Sequence, residues 1–336
     1  MAKVFVARAT RALEQHLQDA LTYLDWERLV PSGARVFFKP NLTYPTPRAG
    51  VTTTSEFVEA VLHVFAQRTS SLVVGESDGG YKGWPAELSF QSHNLPEVCR
   101  RYGARLVNLS RQPRKSVPLG LSKGRVKLSL PALLLDDIDV FVTLPVPKMH
   151  QVTVMSAAIK NQWGCIPDNM RLVNHPYFDE MILEINRLVG TRMALADGTY
   201  FLNRSGPMFG DPVRMDLVLA SDSIGALDTT LCQIMGLDPM RIRYLNVARR
   251  QGWIPPLEEI EHNDSPDSFY AQRFYLQLTL RNRIVRWAFD RPWAIKLSWN
   301  SWFADQFHKT LYAVTGSKVH EDIARFTAQS FRSDRV

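Results

Sequence analysis

Through its first two-thirds this chain alternates short apolar runs with amphipathic stretches, and that alternation limits the fold more than any other feature. Residues 4–9, 35–38, 72–74, 105–109, 140–146, 192–195 and 215–220 read as strands. Leu13, Leu17, Leu21 and Leu24 share one helical stripe, and Phe57, Val61, Val64 and Phe65 share another. Residues 95–102, 178–189, 221–235 and 240–251 read as further helices, and 152–160 as the start of one. Strands separated by helices of this length imply βαβ units. The expected class is therefore α/β, with a mainly parallel sheet flanked by helices.

At 336 residues with 45% hydrophobic and 22% charged side chains, the chain can bury a large core. Disordered, collagen-like and coiled-coil classes are excluded. The longest apolar runs, at 130–135 and 140–147, are short and interrupted by proline, so no transmembrane segment is expected. The N-terminus carries no secretory signal pattern. Cys99, Cys165 and Cys232 form no CxxC pair. No iron–sulfur cluster is expected from such spacing, and the sparse cysteines suit the cytoplasm.

The net charge of +7 is unevenly distributed. Residues 1–253 form the expected α/β domain. Residues 254–269 carry five acidic side chains and no Lys or Arg, and read as an exposed linker. Residues 270–336 carry 11 basic against five acidic side chains and 13 of the 35 aromatics, and read as an aromatic, basic helical segment. Its basic residues form no stripe, which argues against nucleic acid. Packing on the body or in a homo-oligomer, with Arg stems covering aromatics, is the first expectation. Contact with a membrane surface is the second.

Polar residues cluster immediately after the expected strands. Lys39-Pro-Asn41, Glu76-Ser77-Asp78, Lys148-Met-His150, Asp197-Gly198 and Asp222 each follow one. In a parallel sheet such endings share one edge, where open α/β sheets bind ligands. Helix capping explains Asp222 but not Lys39, Lys148 or His150, because cations are poor N-caps. The stretch 148–176 is the richest, with Lys148, His150, Lys160, Asn161 and His175 around the small residues Ser156, Ala157 and Ala158. Thr53 lies in a hydroxyl run before a helix, whose N-terminus could receive an anion. Arg204 sits in a Gly/Pro-rich loop as another candidate anion contact. His16 and His63 are read as structural.

Gly75-Glu-Ser77-Asp-Gly79 matches the nucleophile elbow GxSxG, but loop residues follow it where the elbow needs a helix. Neither GxGxxG after the first strand nor a P-loop is present.

In order along residues 2–252, Phe37-Phe-Lys-Pro-Asn-Leu42, the threonines before the next helix, Gly75-Glu-Ser77, Pro147-Lys-Met-His150, Lys160-Asn161-x-x-Gly164, His175, Ala196-Asp-Gly198 and Gly206-Pro207 resemble the family of domains of unknown function numbered 362. Some members carry ferredoxin-like clusters in an added cysteine-rich segment, which this chain lacks. The resemblance strengthens the site without naming a reaction, and makes Gly-Glu-Ser a family feature.

The leading expectation is an enzyme acting on a small anionic molecule, a carboxylate or a phosphate. Lys39, Asn41, Thr53, Lys148, Asn161 and Arg204 would bind it. His150, His175 and Lys160 would exchange protons, or the histidines would hold a divalent metal with Asp78 or Asp197. Trp84, Trp163 and Tyr81 suggest an aromatic substrate, as in secondary metabolism. One alternative is a non-enzymatic redox or assembly accessory protein that binds a partner through residues 270–336. The other is a serine hydrolase at Ser77.

Overall fold

In the computed structural model, residues 1–80, 83–278, 280–299, 304, 306 and 321–323 are described. The described residues form twelve strands. They are β1 (Ala2–Arg8), β2 (Val36–Pro40), β3 (Leu72–Glu76), β4 (Arg105–Asn108), β5 (Arg114–Leu121), β6 (Gly124–Pro131), β7 (Val140–Leu144), β8 (Lys148–His150), β9 (Val154–Ser156), β10 (Thr191–Asn203), β11 (Asp211–Ser221) and β12 (Ile260–His262). The main sheet runs β12-β1-β11-β10-β7-β2-β3-β4. From β10 to β4 every neighbour is parallel, whereas β11 is antiparallel to both β10 and β1. The fold is α/β, as the alternation implies.

Both faces of the parallel block are covered, which is why β2, β3 and β7 are apolar without a polar face. Phe37, Val73 and Phe141 enter one core layer, together with the helices Phe178–Val189, Ile224–Ile234 and Arg243–Arg250. Their neighbours Val36, Phe38, Leu72, Val74, Val140 and Val142 enter the other, against the helices Leu13–Tyr23, Ser55–Ala66 and Leu95–Arg101.

The chain leaves β2 toward β3 on one side, whereas β7 leads on toward β10 on the other. The loops after β2 and β7 therefore diverge. This is the switch point at which open α/β sheets form a ligand crevice.

Three sequence expectations change. Residues 152–160 hold the turn and second strand of the β8–β9 hairpin, then only a short helix, Ala158–Asn161. Asp222 lies on the far edge of the sheet, because β11 returns antiparallel: Ser221 pairs with Ala194, near the start of β10. Its carboxylate accepts the Lys3 amide (2.9 Å), and Ser223 caps the helix instead. The acidic segment 254–269 does not hang free. β12 lies parallel to β1, Asn263 bonds both backbone groups of Val6, and Phe269 is buried. Of residues 270–336, the helices Leu280–Phe289 and Pro292–Trp299 are described. Tyr81 and most of 300–336 lie outside the described residues.

Candidate functional site

A cavity of about 190 Å³ opens at the switch point, lined by residues that follow β2, β3 and β7. That volume exceeds the roughly 150 Å³ pocket that holds benzene, so it suits a ligand of about ten non-hydrogen atoms. Asn41, Lys148, His150, Lys160, Asn161 and His175 from the expected set line it, with Trp84 and Trp163 as aromatic walls. Glu76, Ser77 and Arg171 also line it. Arg171 escaped the sequence-based set. The available signal was the charge of 148–176, where three cations accompany a single acid, Asp168.

Lys39 does not reach the cavity. Its ammonium is fully buried, donates to the Pro40 carbonyl (2.9 Å) and pairs with Glu76. Glu76 also accepts the amides of Ser77 (2.9 Å) and Leu42 (3.3 Å). Gly164 presses on this pair: a Cβ there would lie 2.6 Å from Glu76 Oε1 and 2.9 Å from Lys39 Nζ. The glycine of the Lys160-Asn161-x-x-Gly164 pattern thus has a steric reason.

The other cations lack any carboxylate among their described hydrogen-bond partners. Lys148 donates to the Val51 carbonyl. Arg171 donates to the carbonyls of Asp78 (2.9 Å), Ile166 and Asp168 (both 3.4 Å). Lys160 Nζ lies 5.6 Å over the Phe178 ring. Burial and then the Arg171 charge pull the Lys160 ammonium down to about 7. Burial, followed by Lys160 and Lys39, holds Lys148 well below its ordinary value.

The histidines differ from expectation in chemical role. His150 Nδ1 accepts the amides of Val152 (3.1 Å) and Thr153 (3.3 Å). Nδ1 is therefore unprotonated, and the neutral ring carries its proton on Nε2. Burial, then Lys160, His175 and Lys148, keep the ring neutral far below the usual imidazole range. His150 is thus a hydrogen-bond donor by geometry. His175 stacks on Phe178 (5.5 Å, 19°) beside Trp163, and burial with Lys160 and Arg171 lowers it to about 3. Of the three expected proton carriers, Lys160 is the one poised near neutrality. The turn beneath His150 includes Val154 at φ 69°, a strained position for a β-branched residue.

A buried amide network holds this segment in place. Asn161 Nδ2 donates to the Lys39 carbonyl and to Thr143 (both 2.9 Å). Gln162 joins Thr143 to Asn186, and Asn186 returns to the Ile159 carbonyl (2.9 Å). Asp228 caps the short helix through the Ala158 (2.7 Å) and Ile159 (3.2 Å) amides.

Four expected residues serve the scaffold. Thr53 bridges the Asn41 amide and the Leu144 carbonyl (both 2.8 Å), tying the loop after β2 to β7. Asp197 accepts from Thr54, the N-cap of the helix Ser55–Ala66, and from Thr199. Asp78 accepts the Ala86 amide (2.9 Å) and Asn108 (2.8 Å). Arg204 pairs with Asp211 and Gln277 at the surface. Among the described residues no group of three or more His, Cys, Asp or Glu side chains is placed to hold a metal ion. The Ser77 hydroxyl donates to the Gly164 carbonyl (2.6 Å), and the helix after it begins only at Ala86.

The family profile described as Domain of unknown function (DUF362) matches residues 36–233, more than half of the chain. The chain belongs to this family. The matched span holds every residue of the cavity wall discussed above, so the site belongs to the DUF362 part of the chain. The thylakoid-associated protein sll1697 of Synechocystis sp. (strain ATCC 27184 / PCC 6803 / Kazusa) is 29% identical over 245 residues, covering 69% of this chain and 72% of that protein. A crystal structure of a protein from Thermotoga maritima overlaps 60% of this chain at 12% identity, with a TM-score of 0.37. The chain spans about half, 53%, of that protein's length. Among the described residues no helix is long and apolar enough to cross a membrane.

Proposed function

We propose that this DUF362 chain is an enzyme that holds a small carboxylate or phosphate in the switch-point cavity and exchanges a proton with it through Lys160. One observation carries the reading: Lys148, Lys160 and Arg171 converge on the cavity without a carboxylate among their hydrogen-bond partners, while the lining acid Glu76 is already paired with Lys39. Lys148 is fully buried while Lys160 and Arg171 are half-buried on the cavity wall, and cations drawn out of water without a carboxylate are costly, so an anionic ligand is the partner that would complete the arrangement.

In this reading Arg171 and Lys148 attract the anion. The His150 Nε2–H and the Asn41 side chain orient it, and Trp84 and Trp163 exclude water from its flanks. Lys160, near 7, can give or take a proton at physiological pH. The cytoplasm is the proposed setting.

The test is equilibrium binding of inorganic phosphate and of citrate to the full chain. Wild type should bind at least one of them. Lys160→Met and Arg171→Met should each weaken that binding about 10–100-fold, the worth of a charge-assisted contact. Binding that neither substitution alters, or none by wild type, overturns the reading.

A further inference from the structure

The helices Leu280–Phe289 and Pro292–Trp299 are apolar on the wrong side for a segment that only packs on the body. Their inner face buries the small Ala288 and Ala294 with Phe289 and Ile295, and Phe289 sits edge-on to His175 at 4.5 Å. Their outer face carries large side chains: Leu280 is 75% exposed, Ile284 59%, Trp287 47% and Trp293 62%. Leu280, Ile284 and Trp287 recur at i, i+4 and i+7 and so form one stripe. The Trp287 and Trp293 rings meet at 5.7 Å and join the stripe to the second helix. Isolated exposed hydrophobics are ordinary, whereas a contiguous stripe of them marks a contact surface.

The charges around the stripe identify its occupant. Arg283 and Lys296 are exposed beside it, and the Arg291 guanidinium lies 4.4 Å over the Trp287 ring. The acidic Asp290 is turned to the body by Arg243 (2.7 Å). The outward face is thus aromatic, aliphatic and cationic. A second copy docked by two-fold symmetry would set these cations against each other. An anionic bilayer surface accepts both features at once: tryptophan and aliphatic side chains enter the interface while Arg and Lys meet lipid phosphates.

We propose that the outer face of residues 280–296 is a docking surface for anionic membranes and holds the protein on the bilayer without spanning it. The same helices pack against the segment Arg171–Tyr177, so docking occurs beside the cavity wall that carries Arg171 and His175.

Co-sedimentation of the full chain with phosphatidylcholine vesicles, with and without one-third phosphatidylglycerol, tests this. Wild type should bind the anionic vesicles about tenfold or more tightly, and added salt should weaken binding. Trp287→Ser/Trp293→Ser and, separately, Arg283→Glu/Lys296→Glu should each reduce binding about tenfold or more. The second pair changes only exposed side chains, so it keeps the test open if the tryptophan variant folds poorly. No preference for anionic vesicles, or unchanged binding in a folded double variant, overturns the proposal. So does a concentration-dependent dimer, seen by sedimentation velocity, that either double variant abolishes.

Discussion

Two lysines near the same sheet edge, Lys39 at the end of β2 and Lys160 beyond β9, sit in surroundings opposite in kind: Lys39 is fully buried, whereas Lys160 is half-buried on the cavity wall. Lys39 finds Glu76, thirty-seven residues away, and the pair closes on itself beneath Gly164. Lys160 finds an aromatic ring and the like charge of Arg171. A cation after a strand is therefore not by itself a ligand contact. The presence or absence of a buried counter-charge decides whether it braces the scaffold or faces a substrate.

The sharpest way to break this comparison is to remove the counter-charge. Glu76→Gln should cost about 3–5 kcal/mol by urea unfolding, because it strands Lys39. Lys39→Met/Glu76→Gln should recover much of that loss; equal losses in the two variants would show that Glu76 acts otherwise. Lys160→Met should do the reverse, raising stability at pH 7 while removing anion binding. Folding lowers the Lys160 pKa, so between about 7 and 10.5 the unfolded chain holds more proton and stability rises with pH. Thermal unfolding of the Met variant should show a smaller rise, the remainder belonging to Lys148.

A third expectation concerns sulfate, whose charge is fixed in this range. Its affinity should be level below pH 7 and fall about tenfold per unit above it, as Lys160 loses its proton. A flat titration curve from pH 6 to 9 would remove Lys160 from the binding step. The smallest effect belongs to Arg204→Ala, whose exposed pair with Asp211 is worth about 0.5 kcal/mol and whose loss should leave anion affinity unchanged.

The strands of the parallel block were readable because burial on both faces leaves only apolar residues in them. The hairpin β5–β6 was not, since Arg114, Lys115, Arg125 and Lys127 interrupt its apolar positions. β12 was hidden inside an acidic stretch because an edge strand needs only one partner and keeps polar residues. In the site, the unusual density of 148–176 was visible, as were Lys148, His150, Lys160, Asn161 and His175. Their roles were not. The donor state of His150 depends on two backbone amides in a turn, and the neutrality of His175 on the rings and cations packed around it.

Local pattern alone determined the α/β class, the polar strand endings and the cation-rich segment, because strand burial and helix periodicity are written in nearest neighbours along the chain. Only the tertiary structure decided which polar residue does what. Asp222 lies at the far edge of the sheet because β11 runs antiparallel, Asp197 and Thr53 turn to the scaffold, and Glu76 pairs with Lys39 but not with Lys160. Charge interactions act through space and weaken with distance and hydration, so a residue's partner, and with it its function, is set by the fold that brings the two together.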